Sequence, residues 1–474
     1  MQNLDFKKIQ KVLLVGAGGK TGYWYARLLI QNGIEVYAFD QNEKVVYSDE
    51  LLNDKLFHKV SAKEFSDAGI LDKIDSVTLS PGVPLNQNIF LKAKEQNKFI
   101  FSELEYSYSK LADRHWICVT GTDGKSTTVA LIEHSLNSFG KDAVSCGNFG
   151  LSFSKIAYEK NQYAKYKYLV AELSSYQLEL CRNLQSEVSL YLNLAPDHLN
   201  RYKDLEEYGR VKYHIAETVK ENGLFIVNKE LLPGNSKYWI TNHPFEKISK
   251  LLNTSFVDTH HIESSHFQIL NQQIVKKKNN ENILALKNLK IQGQHNYTNV
   301  LFTLEVLDYF HCTDNEKIAK SLSTFESLPH RYEKIFIKNQ EDKNIYINDS
   351  KATTTQAAGI AIQNSKSPLF IFMGGRSKGE DYQPLALIIQ NQQAHVFLYG
   401  ENKKELHEVF KKNNVNVIDS YETLELAFYG AIKYQKEKKL TEVTYLLSPA
   451  STSWDQYSSF EERGEYFKKL VQSI

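Results

Sequence analysis

Three times along the chain, short apolar runs that end in glycine or polar turns alternate with stretches of helical periodicity. That is the pattern of βαβ units. The first set begins KVLLVGAGGKTGYWYARLLIQNGIEVYAFD (11–40): a strand at 12–15, a glycine turn, a helix, and a second strand ending at Asp40. A further apolar strand at 76–84 ends in a Pro-Gly turn, and a linker is expected around Tyr106–Arg114. The second set opens with strand, loop and helix in WICVTGTDGKSTTVALIEHSL (116–136). Strand-like 168–175 and 188–200, helical 205–220 and strand 223–228 follow. Residues 236–292 read as short strands rich in Lys and Asn, and a helix at 296–310 leads to a domain end near Leu322–Ser327. The third set predicts strands at 332–338, 345–348, 369–375, 395–400, 415–419 and 444–451, with helices at 355–364, 402–412, 421–437 and 459–473.

Length and charge narrow the function classes. A chain of 474 residues has room for about three domains. Its 57 Lys+Arg and 56 Asp+Glu nearly cancel, which argues against a nucleic-acid binder held by one large basic face. No stretch approaches the roughly 18 apolar residues of a membrane span. The polar start, Met1–Lys11, runs straight into a strand, so no signal peptide is expected. Cys118, Cys146, Cys181 and Cys312 are scattered without CxxC or zinc spacing and read as reduced thiols in a cytoplasmic protein. The run Lys276–Lys278 reads as a solvated hairpin.

The sharpest chemical signal is GTDGKST (121–127), placed between an apolar strand and a helix. A glycine loop lets backbone N–H groups crowd against phosphate, and the helix N-terminus adds its dipole. Lys125 can reach the β and γ phosphates and the Ser126 hydroxyl can ligate Mg²⁺. The spacing is GxxGKS, with Val119 where the longer P-loop carries its first glycine. By contrast, Gly16, Gly18 and Gly22 are spaced GxGxxxG, which misses the strict dinucleotide spacing. Glu172, in AELSSYQLE (171–179), stands at a strand's carboxyl end, where it either ligates a metal or caps the next helix. Asp197 and His198, in PDHLNRY, either hold a metal or ligand oxygen or form a helix cap with a partly buried His. In the third set, LPHRYE, NDSKATT, GGRSKGED and SPASTSWDQYSSF fall at strand ends, where open parallel sheets bind ligands. Cations there, such as Arg331, Lys351 and Lys378, make a closing clamp for a phosphate loop or else lie in solvated loops. The pattern as a whole predicts an α/β protein of three domains. They are an N-terminal Rossmann-like domain (1–110), a central P-loop-type mononucleotide-binding ATPase domain (111–327) and a C-terminal Rossmann-like domain (328–474).

Taken together, the glycine turn at 16–22, SPG at 80–82, GTDGKST, CGNFG at 146–150, ELSSYQLE, DHLNRY, GQHN at 293–296, LPHRYE, NDSKAT and the SPAS…DQY…F tail resemble the Mur ligase family, in its D-glutamate-adding branch. The resemblance covers essentially the whole chain. It implies an ATP- and Mg²⁺-dependent ligase of peptidoglycan precursor synthesis whose partners are UDP-N-acetylmuramoyl-L-alanine and D-glutamate, working as a cytoplasmic monomer without nucleic acid or membrane. It implies that Gly121, Thr122, Asp123, Gly124, Lys125, Ser126, Thr127, Asn296, Arg331 and Asp349 contact ATP. Gly16, Gly18, Gly22, Asp40, Ser80, Pro81, Gly82, Asn148 and His198 are implied for the UDP-linked substrate; Gln41 and Asn42 stand where the family often carries hydroxyl and basic residues. Lys378, Thr353, Ser453 and Phe460 are implied for D-glutamate. Ser126, Glu172, His198 and Lys212, the last as a carbamate, are implied metal ligands, and Lys125, Glu172, His198 and Lys212 the catalytic set. A folylpolyglutamate synthase-like glutamate ligase and a nicotinamide-dependent dehydrogenase are the alternatives. The first lacks a counterpart of residues 1–110, and the second leaves GTDGKST unexplained.

Overall fold

The apolar run Lys11–Val15 (β1) buries all but its first residue, as a strand covered on both faces must. It lies at the centre of a parallel sheet with Glu35–Phe39 (β2), Phe57–Lys59 (β3), Ser76–Leu79 (β4) and Phe99–Ser102 (β5), in the order β3-β2-β1-β4-β5. The computed structural model describes residues 6–67, 69–198, 201–232, 253–337 and 343–474. The second sheet is built on His115–Thr120 (β6), Ala143–Gly147 (β7), Tyr168–Glu172 (β8), Ser186–Tyr191 (β9) and Val219–Asn228 (β10). These pair in parallel as β10-β9-β6-β8-β7. Asn253–Asp258 (β11) extends it in parallel, and Glu263–Ser264 (β12), Phe267–Leu270 (β13), Gln273–Lys276 (β14) and Glu281–Ala285 (β15) continue as an antiparallel meander. The Lys276–Lys278 run does sit at the β14–β15 hairpin. The third sheet holds Glu333–Ile335 (β16), Ile345–Asn348 (β17), Leu369–Gly374 (β18), His395–Tyr399 (β19), Asn416–Ser420 (β20) and Thr444–Leu447 (β21), ordered β16-β17-β21-β18-β19-β20. It is parallel except for β16. Expected features at 199–200, 236–252 and 338 lie outside the described residues.

The chain divides into two compact units, Met1–Phe325 and Glu326–Ile474. In the first, one hydrophobic core runs through both sheets: Val12, Leu14 and Tyr25 belong to the same cluster as Trp116, Phe153 and Tyr213. The expected linker at Tyr106–Arg114 is in fact mostly helix, Glu103–Leu111. Ser102 caps it by accepting from the Glu105 amide, two acids occupy its first turn, and Leu104, Tyr106 and Leu111 anchor it in that shared core. Polarity along 103–114 hid this. Both acids are buried and hydrogen-bonded: Glu105 accepts from the amides of Arg182 (2.7 Å) and Asn183 (3.0 Å), and Glu103 from the amide of Ser154 (2.7 Å).

Burial pushes the Glu103 carboxyl up to about 7, against the pull of the Ser154 amide. The folded chain then binds that proton more tightly than the unfolded one. The associated stability is complete below the ordinary carboxyl range and is lost as pH rises through about 7. Glu103→Gln is expected to remove this loss. Between about pH 5 and pH 8 the variant should gain on the wild type by on the order of 3 kcal/mol in denaturant unfolding, and parallel pH profiles would contradict the assignment.

Candidate active site

The strand His115–Thr120 delivers the chain into GTDGKST, and the helix Lys125–Ser138 begins directly after it. Gly124 makes that turn possible: its φ is +78°, and a Cβ there would come within 2.8 Å of Asn299 Oδ1. The register of β6 on β9 pairs Thr120 with Tyr191, so two residues on, Asn193 lies beside Thr122. The Asn193 Oδ1 accepts from the amides of Thr122 (3.0 Å) and Asp123 (2.8 Å), and its Nδ2 donates to the Asp123 carbonyl (3.0 Å). The first half of the loop is therefore braced by protein, and the second half opens the helix with its N-terminal amides. Lys125 Nζ folds back onto the carbonyls of Gly121 (2.9 Å) and Thr122 (2.6 Å).

The carboxyl end of β8 brings Glu172 to the same place. Its carboxylate accepts from the Ser126 hydroxyl and from Asn148 Nδ2 (2.7 Å), and both Glu172 and Ser126 are 2 % exposed. Of the two sequence readings of Glu172, the helix cap is taken by Ser174 instead, whose side chain accepts from the Gln177 amide. Lys212, which an amphipathic helix would put at its surface, is 1 % exposed. Its Nζ donates to the Gly121 carbonyl (2.7 Å) and lies 4.6 Å from the Tyr208 ring centroid. Burial, and then the charge of Lys125, hold the Lys212 ammonium well below the usual lysine range. His198 has φ +56°; its Nδ1 is 2.8 Å from the Tyr176 hydroxyl and its Nε2 3.3 Å from Asp197. Among the described residues no three His, Cys, Asp or Glu side chains gather around a point. The Ser126 and Glu172 oxygens, joined beside a phosphate loop, do suit a hard cation that takes its remaining ligands from phosphate and water.

The SPG turn faces this region within the same unit. A shallow cleft is lined by Ser80, Pro81, Gly82, Tyr176, Gln177 and Glu179, among others, and the buried Ser80 hydroxyl has no hydrogen-bond partner among the described residues. Arg201 straps the two sides: it holds Glu179 through Nε (2.9 Å) and an NH₂ group (2.6 Å), and donates to the carbonyls of Gly82 and Val83 (3.2 Å each). At the glycine turn the Asp40 carboxylate accepts from the amides of Gly18 (2.7 Å) and Asn42 (2.9 Å). A side chain at Gly18 would strike that carboxylate.

The Mur ligase middle domain family matches residues 119–307. Over 475 residues, the chain is 31% identical to the UDP-N-acetylmuramoylalanine–D-glutamate ligase of Alkaliphilus metalliredigens, covering 98% of this chain and 99% of that one. The chain belongs to the UDP-N-acetylmuramoylalanine–D-glutamate ligase family. The enzyme of that name from Bacteroides fragilis is 29% identical over 98% of this chain and 100% of its own length. Among solved structures, UDP-N-acetylmuramate-alanine ligase from Thermotoga maritima superposes with a TM-score of 0.57 at 18% identity, covering 98% of this chain and 99% of that one. MurF ligase from Thermotoga maritima, solved in complex with ADP, gives 0.56 at 15%, with 98% and 96% covered. Both agree with the fold described above.

In this member of the Mur ligase family, one unit carries Lys125, Ser126, Asn148, Glu172, His198, Lys212 and Asn296, and gathers Lys125, Ser126, Asn148, Glu172 and Lys212 around the phosphate loop. Asn296 is drawn toward the loop by Asn299, whose Nδ2 is 3.4 Å from Asn296 Oδ1. The second unit holds the remaining expected residues at the carboxyl ends of β17, β18 and β21. Lys378 Nζ is 3.2 Å from the Thr353 hydroxyl, and Lys351 Nζ stands 3.8 Å from the Phe460 ring centroid. Asp349 accepts from the Tyr332 amide (3.0 Å) and the Ser448 hydroxyl (3.2 Å). The Arg331 amide donates to the Leu328 carbonyl (3.1 Å). Asn193, Asn299, Tyr176 and Arg201 were not singled out by sequence reasoning. Only Tyr176 and Arg201 fell within motifs that could have pointed to them.

Proposed function

We propose that the chain joins D-glutamate to UDP-N-acetylmuramoyl-L-alanine at the expense of ATP, through an acyl phosphate, in the cytoplasm. The carrying observation is that the Ser126 hydroxyl, the Glu172 carboxylate and two lysine nitrogens, of Lys125 and Lys212, surround the N-terminus of a glycine-loop helix. Residues 1–110 bind the uridine nucleotide in this reading, 111–327 the triphosphate, and 328–474 D-glutamate together with part of ATP.

A carboxylate acylates poorly because its oxygen leaves badly. In the first step an oxygen of the terminal L-alanine carboxylate attacks the γ-phosphorus, the bond to the β–γ bridging oxygen breaks, and ADP departs. Lys125, swung from its loop carbonyls to the phosphates, balances the charge gathering on the transferring oxygens. The D-glutamate amine then attacks the acyl carbon, and the tetrahedral intermediate expels phosphate and loses a proton to give the amide. Ser126 and Glu172 are the residues that would hold Mg²⁺, which when bound screens the phosphate charge. Lys212 fits the carbamate assignment: burial disfavours its ammonium form, the free amine is a nucleophile for CO₂ and sheds a proton on adding to it, and the carbamate would put a carboxylate-like acceptor at that point. Asn148 and His198 orient the acid substrate, and Lys378 binds one carboxylate of the acceptor as a point charge.

Phosphate release with UDP-N-acetylmuramoyl-L-alanine and ATP tests the reading across acceptors. D-Glutamate should support turnover, whereas L-glutamate, meso-diaminopimelate and L-lysine should not; indifference to the acceptor would refute it. Lys378→Ala should raise the KM for D-glutamate by about tenfold or more while moving the KM for ATP less than twofold. An unchanged acceptor KM would place the pocket elsewhere.

A further inference from the structure

Inside the second unit, one asparagine that belongs to none of the motifs above ties together the two loops carrying Lys378 and Ser453. Asn402 is 6 % exposed and stands in the turn after β19. Its Oδ1 accepts from the Gly375 amide (3.0 Å), and its own amide donates to the Gly375 carbonyl (3.0 Å), so it pairs with the loop 374–381 as a strand neighbour would. Its Nδ2 donates to the Ser451 hydroxyl (2.9 Å) in the loop after β21 and to the Tyr382 hydroxyl (3.1 Å). The same two loops also meet directly. The Arg376 and Thr452 amides exchange hydrogen bonds of 3.0 and 3.1 Å, two residues before Lys378 and one before Ser453.

We propose that Asn402 is a positioning residue that sets the separation between Lys378 and Ser453, and through it the length of dicarboxylic amino acid this site accepts. This rests on the assignment of D-glutamate to Lys378, Thr353, Ser453 and Phe460. The side chain is suited to the task because it spends its carbonyl on one loop and its amide on the other. No apolar residue of similar size could bridge them, and leaving the Gly375 amide unpaired would carry a cost. Fixed loops make acceptor length a sharp variable: one methylene separates D-glutamate from D-aspartate.

The test is the ratio of kcat/KM for D-glutamate to that for D-aspartate in the full chain, together with the KM for ATP. In Asn402→Ala the ratio should fall by about tenfold, within the range one methylene commands, while the KM for ATP stays within twofold. A purely structural role would depress both acceptors alike and leave the ratio unmoved, which would overturn the proposal. If Asn402→Ala does not fold, Ser451→Ala removes only the hydroxyl that Asn402 holds, and the same fall or constancy of the ratio decides. Lys378→Ala, run in parallel, separates the two levels. Loss of acceptor binding there with an unchanged ratio in the Asn402 and Ser451 variants defeats only the positioning role. No response to Lys378→Ala removes the pocket assignment and this inference with it.

Discussion

Lys125→Ala is expected to lower ligation by at least about 10³-fold, some 4 kcal/mol in the barrier, with the fold intact. Among the described residues the Nζ group makes two hydrogen bonds, both to carbonyls of its own loop, so its loss disturbs little packing. What disappears is the cation nearest to where phosphoryl charge develops, at a helix terminus whose amides cannot replace a full charge. The check is steady-state phosphate release beside thermal unfolding. Near wild-type turnover in the folded variant would refute the phosphate-cradle assignment.

Lys212→Ala should cost as much, for a different reason. The side chain is buried against Tyr208 and reaches the Gly121 carbonyl, so it touches the loop from beneath. If its working form is a carbamate, alanine deletes a carboxylate-like oxygen pair and leaves a hole of about the right size to receive one. Short-chain carboxylates such as acetate or propionate should then restore part of the rate to Lys212→Ala, and none to Lys212→Arg, which fills the hole and keeps a permanent cation. An Ala variant that no carboxylate revives would leave Lys212 as a structural amine bracing the loop.

These two residues mark how far the sequence could be read. Lys125 was legible because strand, glycine turn and helix are local features, each visible in a few consecutive residues. Lys212 was not: on an amphipathic helix a lysine reads as a surface residue, and only the packing of that helix on β9 and β6 shows that Tyr208 and Lys212, one turn apart, are both buried. Asn193 was hidden more completely, since its importance comes from the parallel register that sets it opposite Thr122 across 71 positions of chain. Asn402 is the same case in the other unit. The stretch Tyr106–Arg114 reads as a linker because it is polar, yet most of it belongs to the helix Glu103–Leu111, which distant amides anchor by donating to its two buried acids. Strand-end clusters, by contrast, were readable as sites because parallel topology puts strand ends together whatever the side chains are.

The most direct test of the central claim, that the phosphate loop activates a carboxylate for capture by an amine, follows an oxygen atom. UDP-N-acetylmuramoyl-L-alanine labelled with ¹⁸O in the alanyl carboxylate is turned over with ATP and D-glutamate, and the released phosphate is analysed by mass. An acyl phosphate requires one labelled oxygen to leave with each phosphate formed. Phosphate free of label, at a rate matching ligation, would contradict the account.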